Sequence, residues 1–296
     1  ASIFILNELL KEKIMPNPVN RDDSNKMTDE QLKAAAIANI GKTQTGDITP
    51  SYPTEIVQLP SKGKLYPEGH PLSSGTIEMK YMTAREEDIL TNQSFIANGV
   101  VLDKLFQALI VTPVDYNDLL LGDKNAVMIA ARVLGYGKDY PITAKSPSGE
   151  DIEYTVDLTQ LGEKEMDWSK HDGSLEFELQ LPASKRTVKV HLMTQRIQKK
   201  IDKELKGLEK LKKNAATTTM LKHMIIAVDG ETDNAKVRKF VDNELLAIDS
   251  RAIRNFVQEV TPDIDLSVEV PDGESGDTFR SKIAIGLDFF WPDAEV

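Results

Sequence analysis

The sequence predicts an α+β fold of two diverged tandem units, each made of β-hairpins and a helical cluster, behind an N-terminal helical arm. Three observations predict it. The chain states one pattern twice: Gln58-Leu59-Pro60 leads to Met82-Thr83-Ala84-Arg85, and Gln180-Leu181-Pro182 leads to Met193-Thr194-Gln195-Arg196. Before each Met-Thr the side chains alternate, through Thr76, Ile77, Met79 and Tyr81 in one copy and Thr187, Val188, Val190 and Leu192 in the other. Alternation of this kind marks a half-buried strand, and Thr placed after it opens a helix. Further on, Leu119, Leu120, Asp123, Ala126 and Val127 find counterparts in Leu245, Leu246, Asp249, Ala252 and Ile253. Matches that keep their order while the loops between them change length are what a tandem duplication leaves. The expected division is an arm and linker over 1–53, a first unit over 54–165 and a second over 166–296.

In the arm, Ile3, Leu6, Leu10 and Ile14 share one face of a short helix. Such a helix is marginal alone in water and must dock on something. Residues 15–26, with two prolines, read as a linker. Thr28 and Gln31 then form a capping pair for a second helix through Leu32, Ala36, Ile37 and Ile40. The arm reads either as a partner-binding element or as a loose tail.

The first unit opens with a strand through Ile56 and Leu59. A loop over 62–74 follows, rich in Gly and Pro and expected to be exposed, and then the strand into Met82. Thr83 caps a helix with Glu86 at the capping-box position and Glu87 and Asp88 in the first turn, where the helix dipole favours acid. Val100, Val101, Leu105, Phe106 and Leu109 mark another helix. Asp123 is expected to cap a third, which Gly135 and Gly137 stop. Tyr140 to Leu158 reads as a hairpin turning at Ser146-Pro147-Ser148-Gly149.

In the second unit Leu175, Phe177, Leu179 and Leu181 alternate, and Lys185-Arg186 turns the chain into a strand over 187–193. Thr194 opens a helix with Ile197, Ile201, Leu205, Leu208 and Leu211 on one face and seven lysines on the other. The lysine face is read as solvated, with nucleic-acid binding as the sharper alternative. Met220, Leu221, Met224 and Ile225 begin a buried helix. Val237 to Leu246 and Ala252 to Val260 give two more, and Pro262 stops the last. Leu266 to Phe290 looks like a closing hairpin that ends in Phe289-Phe290-Trp291.

Composition narrows the function classes. Apolar residues make up 40% of the 296, enough for a real core. With 47 acidic against 36 basic residues the net charge is −11. This argues against phosphate-backbone binding as the main task, because that affinity comes from Lys and Arg. Without cysteine there is no disulfide and no thiolate metal site, and the four histidines are scattered. Neither a metal nor any other cofactor is expected. No apolar run reaches the roughly 18 residues of a membrane span, and the apolar start is too short for a signal peptide, so synthesis and retention inside the cell are expected. Gly41-Lys42-Thr43 lacks the earlier glycine of a phosphate-binding loop, with Ala36 in its place. No nucleophile motif of the Gly-x-Ser-x-Gly type is present. The expectation is a protein without catalytic residues.

Several stretches together resemble a known family. They are Leu59-Pro60-Ser61-Lys62-Gly63-Lys64-Leu65-Tyr66-Pro67, Met82-Thr83-Ala84-Arg85-Glu86-Glu87-Asp88-Ile89-Leu90, Leu121-Gly122-Asp123 with Ala131-Arg132 and Tyr136-Gly137, and Leu287-Asp288-Phe289-Phe290-Trp291-Pro292. Over roughly residues 55–292 the chain resembles the baseplate hub protein family of T-even-type contractile-tailed bacteriophages. The resemblance implies a non-catalytic structural component of the tail baseplate, made in the host cytoplasm and acting in hub assembly through contacts with other phage tail proteins. The alternative within the same family is a transient assembly chaperone that is absent from the mature virion. Relatives carry Cys-x-x-Cys pairs at the two hairpin turns, which would suit zinc. Here serines and glycines stand at those turns, so no closed metal site is implied.

The expected partner-binding residues are the apolar chain ends: Ile3, Phe4, Leu6 and Leu10 at one end, Phe290 and Trp291 at the other. Large apolar and aromatic side chains dominate interfaces when they are exposed. For Phe289-Phe290-Trp291 the competing reading is continuation of the last hairpin, closing the core of the second unit.

Overall fold

Two antiparallel hairpins separated by helices make up each half of the body, so the element order repeats. The computed structural model describes residues 52–212, 215–272, 277–286 and 288–290, and these belong to one unit, 52–296. The helices expected in the arm lie outside the described residues, as do the turn over 273–276 and Trp291.

In the first half, β1 (Thr54–Gln58) pairs antiparallel with β2 (Thr76–Lys80), Thr54 opposite Lys80 and Gln58 opposite Thr76. Alternation places Ile77 and Met79 in the core. The long loop between them is shaped, as expected, but it is not simply exposed. Ser61, Leu65, Tyr66 and Leu72 are buried. Gly63 has φ +73°, and a Cβ there would lie 2.3 Å from the Ser73 carbonyl oxygen, so the two arms of the loop touch backbone to backbone. Helices α1 (Ala84–Leu90), α2 (Gln93–Asn98), α3 (Val101–Leu109) and α4 (Leu121–Tyr136) follow. Glu86 bonds back to the Thr83 N–H at 3.0 Å and takes Lys80 Nζ at 2.8 Å. Its carboxyl is pushed up by burial but pulled further down by Lys80 and Thr83, and so stays below the usual carboxylate range. The hairpin β3 (Asp139–Lys145) and β4 (Asp151–Asp157) closes the half. The Ser146 hydroxyl accepts the Glu150 N–H at 3.1 Å and lies 2.6 Å from the Ser148 hydroxyl, so serines fasten that turn.

The second half begins with β5 (Glu176–Gln180) and β6 (Thr187–His191), antiparallel with Phe177 opposite Val190. Helix α5 (Gln195–Lys210) and α6 (Ala216–Met224) come next. The expected helix around Ile225 ends one residue earlier. Ile225–Val228 form β7, which adds to β6 as the third strand of the sheet β5-β6-β7. A run of four apolar residues, Ile225-Ile226-Ala227-Val228, fits a strand as well as a helix, and the free edge of β6 decides it. Helices α7 (Asn234–Asn243) and α8 (Ala247–Val260) lead to the hairpin β8 (Ser267–Pro271) and β9 (Thr278–Lys282).

The hydrophobic core is continuous across both halves: Leu105, Phe106, Val127 and Leu158 of the first and Val190, Phe240, Ile253 and Val257 of the second belong to one buried cluster. Phe289 and Phe290 do not extend the last hairpin. They form a short 3-10 turn, Asp288–Phe290, and fold back onto the first half. The Phe290 ring lies 5.9 Å from that of Phe106, and Phe289 meets Tyr140 edge-on at 4.8 Å. Phe289 and Phe290 close the core of the first unit, not of the second, because the apolar gap left by α3 and β3 is there.

Candidate protein-protein interface

The repeated aspartates do not cap their helices. Helix α4 starts after Leu120, and Asp123 sits in its first turn, fully buried. It reaches back to the hairpin loop: Oδ1 accepts the Ser61 N–H at 2.9 Å and Oδ2 the Tyr66 hydroxyl at 2.7 Å. That hydroxyl in turn accepts the Leu120 N–H at 3.0 Å. In the second half Asp249 occupies the same place in α8. Its Oδ1 accepts the Ala183 N–H at 2.8 Å and its Oδ2 the Ser184 N–H at 3.0 Å. The two residues titrate in opposite senses. Burial pushes Asp123 above the usual carboxylate range, more than its hydrogen bonds pull it down. At Asp249 burial also pushes upward, but the N–H groups of Ala183 and Ser184 outweigh it and hold the carboxyl low.

The aspartates hold each hairpin to its long helix, and a second device holds one half to the other. Where β6 runs out towards α5, Met193-Thr194-Gln195 lies antiparallel to Leu119-Leu120-Leu121, with Leu120 opposite Thr194. The Gln195 N–H donates to the Leu119 carbonyl at 2.8 Å, and the Leu121 N–H donates to the Met193 carbonyl at 3.0 Å. Around this short ladder Arg196 pairs with Asp115 at 2.8 Å and Asp118 at 2.6 Å. Lys199 reaches Asp103 at 2.8 Å, and the Gln195 amide reaches the same carboxylate at 2.9 Å. The Asn117 N–H first, and then the Arg196 guanidinium, hold the Asp115 carboxyl below its ordinary range. Gly122 admits a further contact: a Cβ there would lie 1.9 Å from the Pro262 carbonyl oxygen, and Asn125 donates to Asp263 at 2.8 Å. This is the anatomy of an interface, with apolar residues and backbone pairing at the centre and ion pairs at the rim.

Sequence reading marked both stretches as repeats and missed that they meet. The available signal was that the repeated segments are strand ends, whose unpaired backbone groups seek a partner. Of the expected partner-binding residues, Ile3, Phe4, Leu6, Leu10 and Trp291 lie outside the described residues. Phe290 is 0% exposed and packs inside the chain. The lysine-rich face of α5 is partly occupied: Lys199 bonds to Asn117 at 2.7 Å as well as to Asp103, which ties the helix to the first half.

Among the described residues no group of three or more His, Asp and Glu is placed to hold a metal ion. Nor is any helix among them long and apolar enough to cross a membrane. The clefts offer little chemistry. An apolar groove of about 220 Å³ runs between β1 and α4, lined by Val57, Ile129, Val133, Leu161 and Ile264.

A family model described as T4 bacteriophage base plate protein matches residues 50–290, well over half of the chain. No curated protein and no solved structure gives a match.

Proposed function

The chain belongs to the T4 bacteriophage base plate protein family, and from that premise we propose that it is a non-catalytic structural protein acting in assembly of the baseplate hub through protein-protein contacts. The family match across 50–290 carries the reading. A second observation fits it: the two halves are joined by backbone pairing and rim ion pairs, the same means by which separate subunits join. Its partners are other proteins of the phage tail and baseplate, and its place is the contractile tail of the virion.

The family match begins at residue 50, so the arm before it is free to be specific to this chain. Ile3, Phe4, Leu6 and Leu10 would supply the apolar face of a docking helix, with Trp291 as an aromatic contact at the other chain end. Affinity capture of the tagged full chain from infected cells tests the reading. Baseplate proteins recovered in fixed proportion support it. Recovery of the chain without any tail protein contradicts it.

A further inference from the structure

The joint between the halves uses one end of each repeat and, among the described residues, leaves the matching ends unpaired. Equivalence is fixed by geometry as well as by sequence. Asp123 and Asp249 each accept, through Oδ1, the N–H of the residue after the proline, Ser61 after Pro60 and Ala183 after Pro182, so Leu119-Leu120-Leu121 corresponds to Leu245-Leu246-Ala247. The Tyr81 N–H donates to the Pro53 carbonyl at 3.1 Å and the Leu192 N–H to the Leu175 carbonyl at 2.8 Å. Met82-Thr83-Ala84 therefore corresponds to Met193-Thr194-Gln195.

Within the chain the second half's Met193–Gln195 covers the first half's Leu119–Leu121. The reciprocal pair does not form: among the described residues no hydrogen bond joins Met82–Ala84 to Leu245–Ala247. The effect on burial is direct. Leu120 is 0% exposed, while its counterpart Leu246 is 49% exposed and the neighbouring Ile248 is 61% exposed. Gln195 is buried, while its counterpart Ala84 is exposed. The rim charges repeat too. Arg196 pairs with Asp118 inside the chain. Its counterpart Arg85 is exposed without an ion pair among the described residues, and Glu244, which holds the place of Asp118, takes Arg186 of its own half at 3.0 Å while staying exposed beside Leu245. Each half thus has a head, the Met-Thr strand end, and a tail, the Leu-Leu helix start, and among the described residues only one head-tail pair is satisfied.

We propose that the Leu245–Ala247 tail binds the Met82–Ala84 head of a second copy of this chain, repeating between molecules the joint that already exists within one. The second copy is the favoured occupant because it carries the complementary surface: an antiparallel strand end, an exposed Tyr81 beside it, and the exposed Arg85, which would join Arg186 at Glu244 as Arg196 serves two carboxylates in the inner joint. The joint is heterologous, so it builds a ring if the rotation closes and a filament if it does not. Ile248 stands where the inner joint has Gly122, so the outer joint is a relative and not an atomic copy. The pairing requires nothing from the baseplate reading.

Light scattering during gel filtration of the full chain, together with two variants on opposite surfaces, tests it. Leu246→Arg breaks the tail and Arg85→Glu breaks the head. Both residues are exposed, so circular dichroism melts should match wild type at dilutions where every chain is single, since association itself raises the melting temperature. Wild type should run as a dimer or larger at tens of micromolar and each variant as a single chain. A mixture of the two should recover a dimer and nothing larger, because only one intact head meets one intact tail. A wild-type monomer, or variants that leave the oligomer intact, would overturn the proposal, and so would a mixture that fails to dimerise. A Leu246→Arg chain that melts lower than wild type at dilutions where both are single chains would also overturn it, by showing that another segment of the same chain covers Leu246.

Discussion

The buried carboxylate of Asp249 accepts the Ala183 N–H at 2.8 Å, as Asp123 accepts that of Ser61. Each bond holds a hairpin loop to the first turn of the long helix of its half. Replacing Asp249 by Ala leaves two backbone donors unpaired. A hydrogen bond to a charged group is worth about 1.5–3 kcal/mol, so the urea midpoint should fall by that much in free energy, with the slope unchanged. Asp249→Asn, which keeps one acceptor, should lose less.

The same pair makes a prediction with pH. Asp249 titrates below its unfolded value, so its contribution is complete above about pH 4 and is lost as pH falls through the lower, folded pKa. The stability gap between wild type and Asp249→Asn should therefore narrow on acidification. Asp123 titrates above its unfolded value, so protonation favours the folded state. The gap for Asp123→Asn should widen as pH falls. Urea titrations from neutral to mildly acidic pH read both slopes, and slopes of the same sign would show that the two sites are not tuned apart.

Gly122→Ala places a methyl group 1.9 Å from the Pro262 carbonyl oxygen. Neither backbone can yield without opening the seam between α4 and the segment after α8. Overpacking of this kind costs about 1–3 kcal/mol, to be read as a lowered melting temperature.

Much of this was legible in the sequence, and the misses have physical causes. The strand-to-helix junctions at Met82-Thr83 and Met193-Thr194 show because alternation and a capping residue coincide there. The capping pair Thr83 and Glu86 forms as written. Asp123 and Asp249 are legible as repeats, and Asp123 reads as a cap, since the partners Ser61 and Ala183 are distant in sequence and only the folded chain brings them near. The strand Ile225–Val228 was hidden because a short apolar run carries no period of its own. Phe289-Phe290 announced a buried anchor, while its destination, Phe106 and Tyr140, depends on a tertiary gap that no local pattern describes. For the interface, the repeated residues could be read; which copy meets which could not.

Phe290→Ala should remove the ring that packs on Phe106. A fully buried Phe→Ala change costs about 3–5 kcal/mol. Limited proteolysis should then cut around Asp288–Phe290 before the rest of the body, whereas in wild type the buried Phe289 and Phe290 resist.

Deletion of residues 1–26 should leave a soluble body that unfolds cooperatively, because residues 52–290 hold a continuous buried core of their own. In a pull-down from infected cells the truncated chain should no longer recover the tail proteins that the full chain recovers. Equal recovery would move the docking element out of the arm, and failure to fold would make the arm part of the body.

The most direct test of a structural role in the baseplate is quantitative mass spectrometry of purified virions and of baseplates isolated from them. The chain should be present in both, at a fixed ratio to the other baseplate proteins that survives repeated purification. Its presence in infected-cell lysates and absence from purified virions would contradict the structural role and assign the protein to transient assembly.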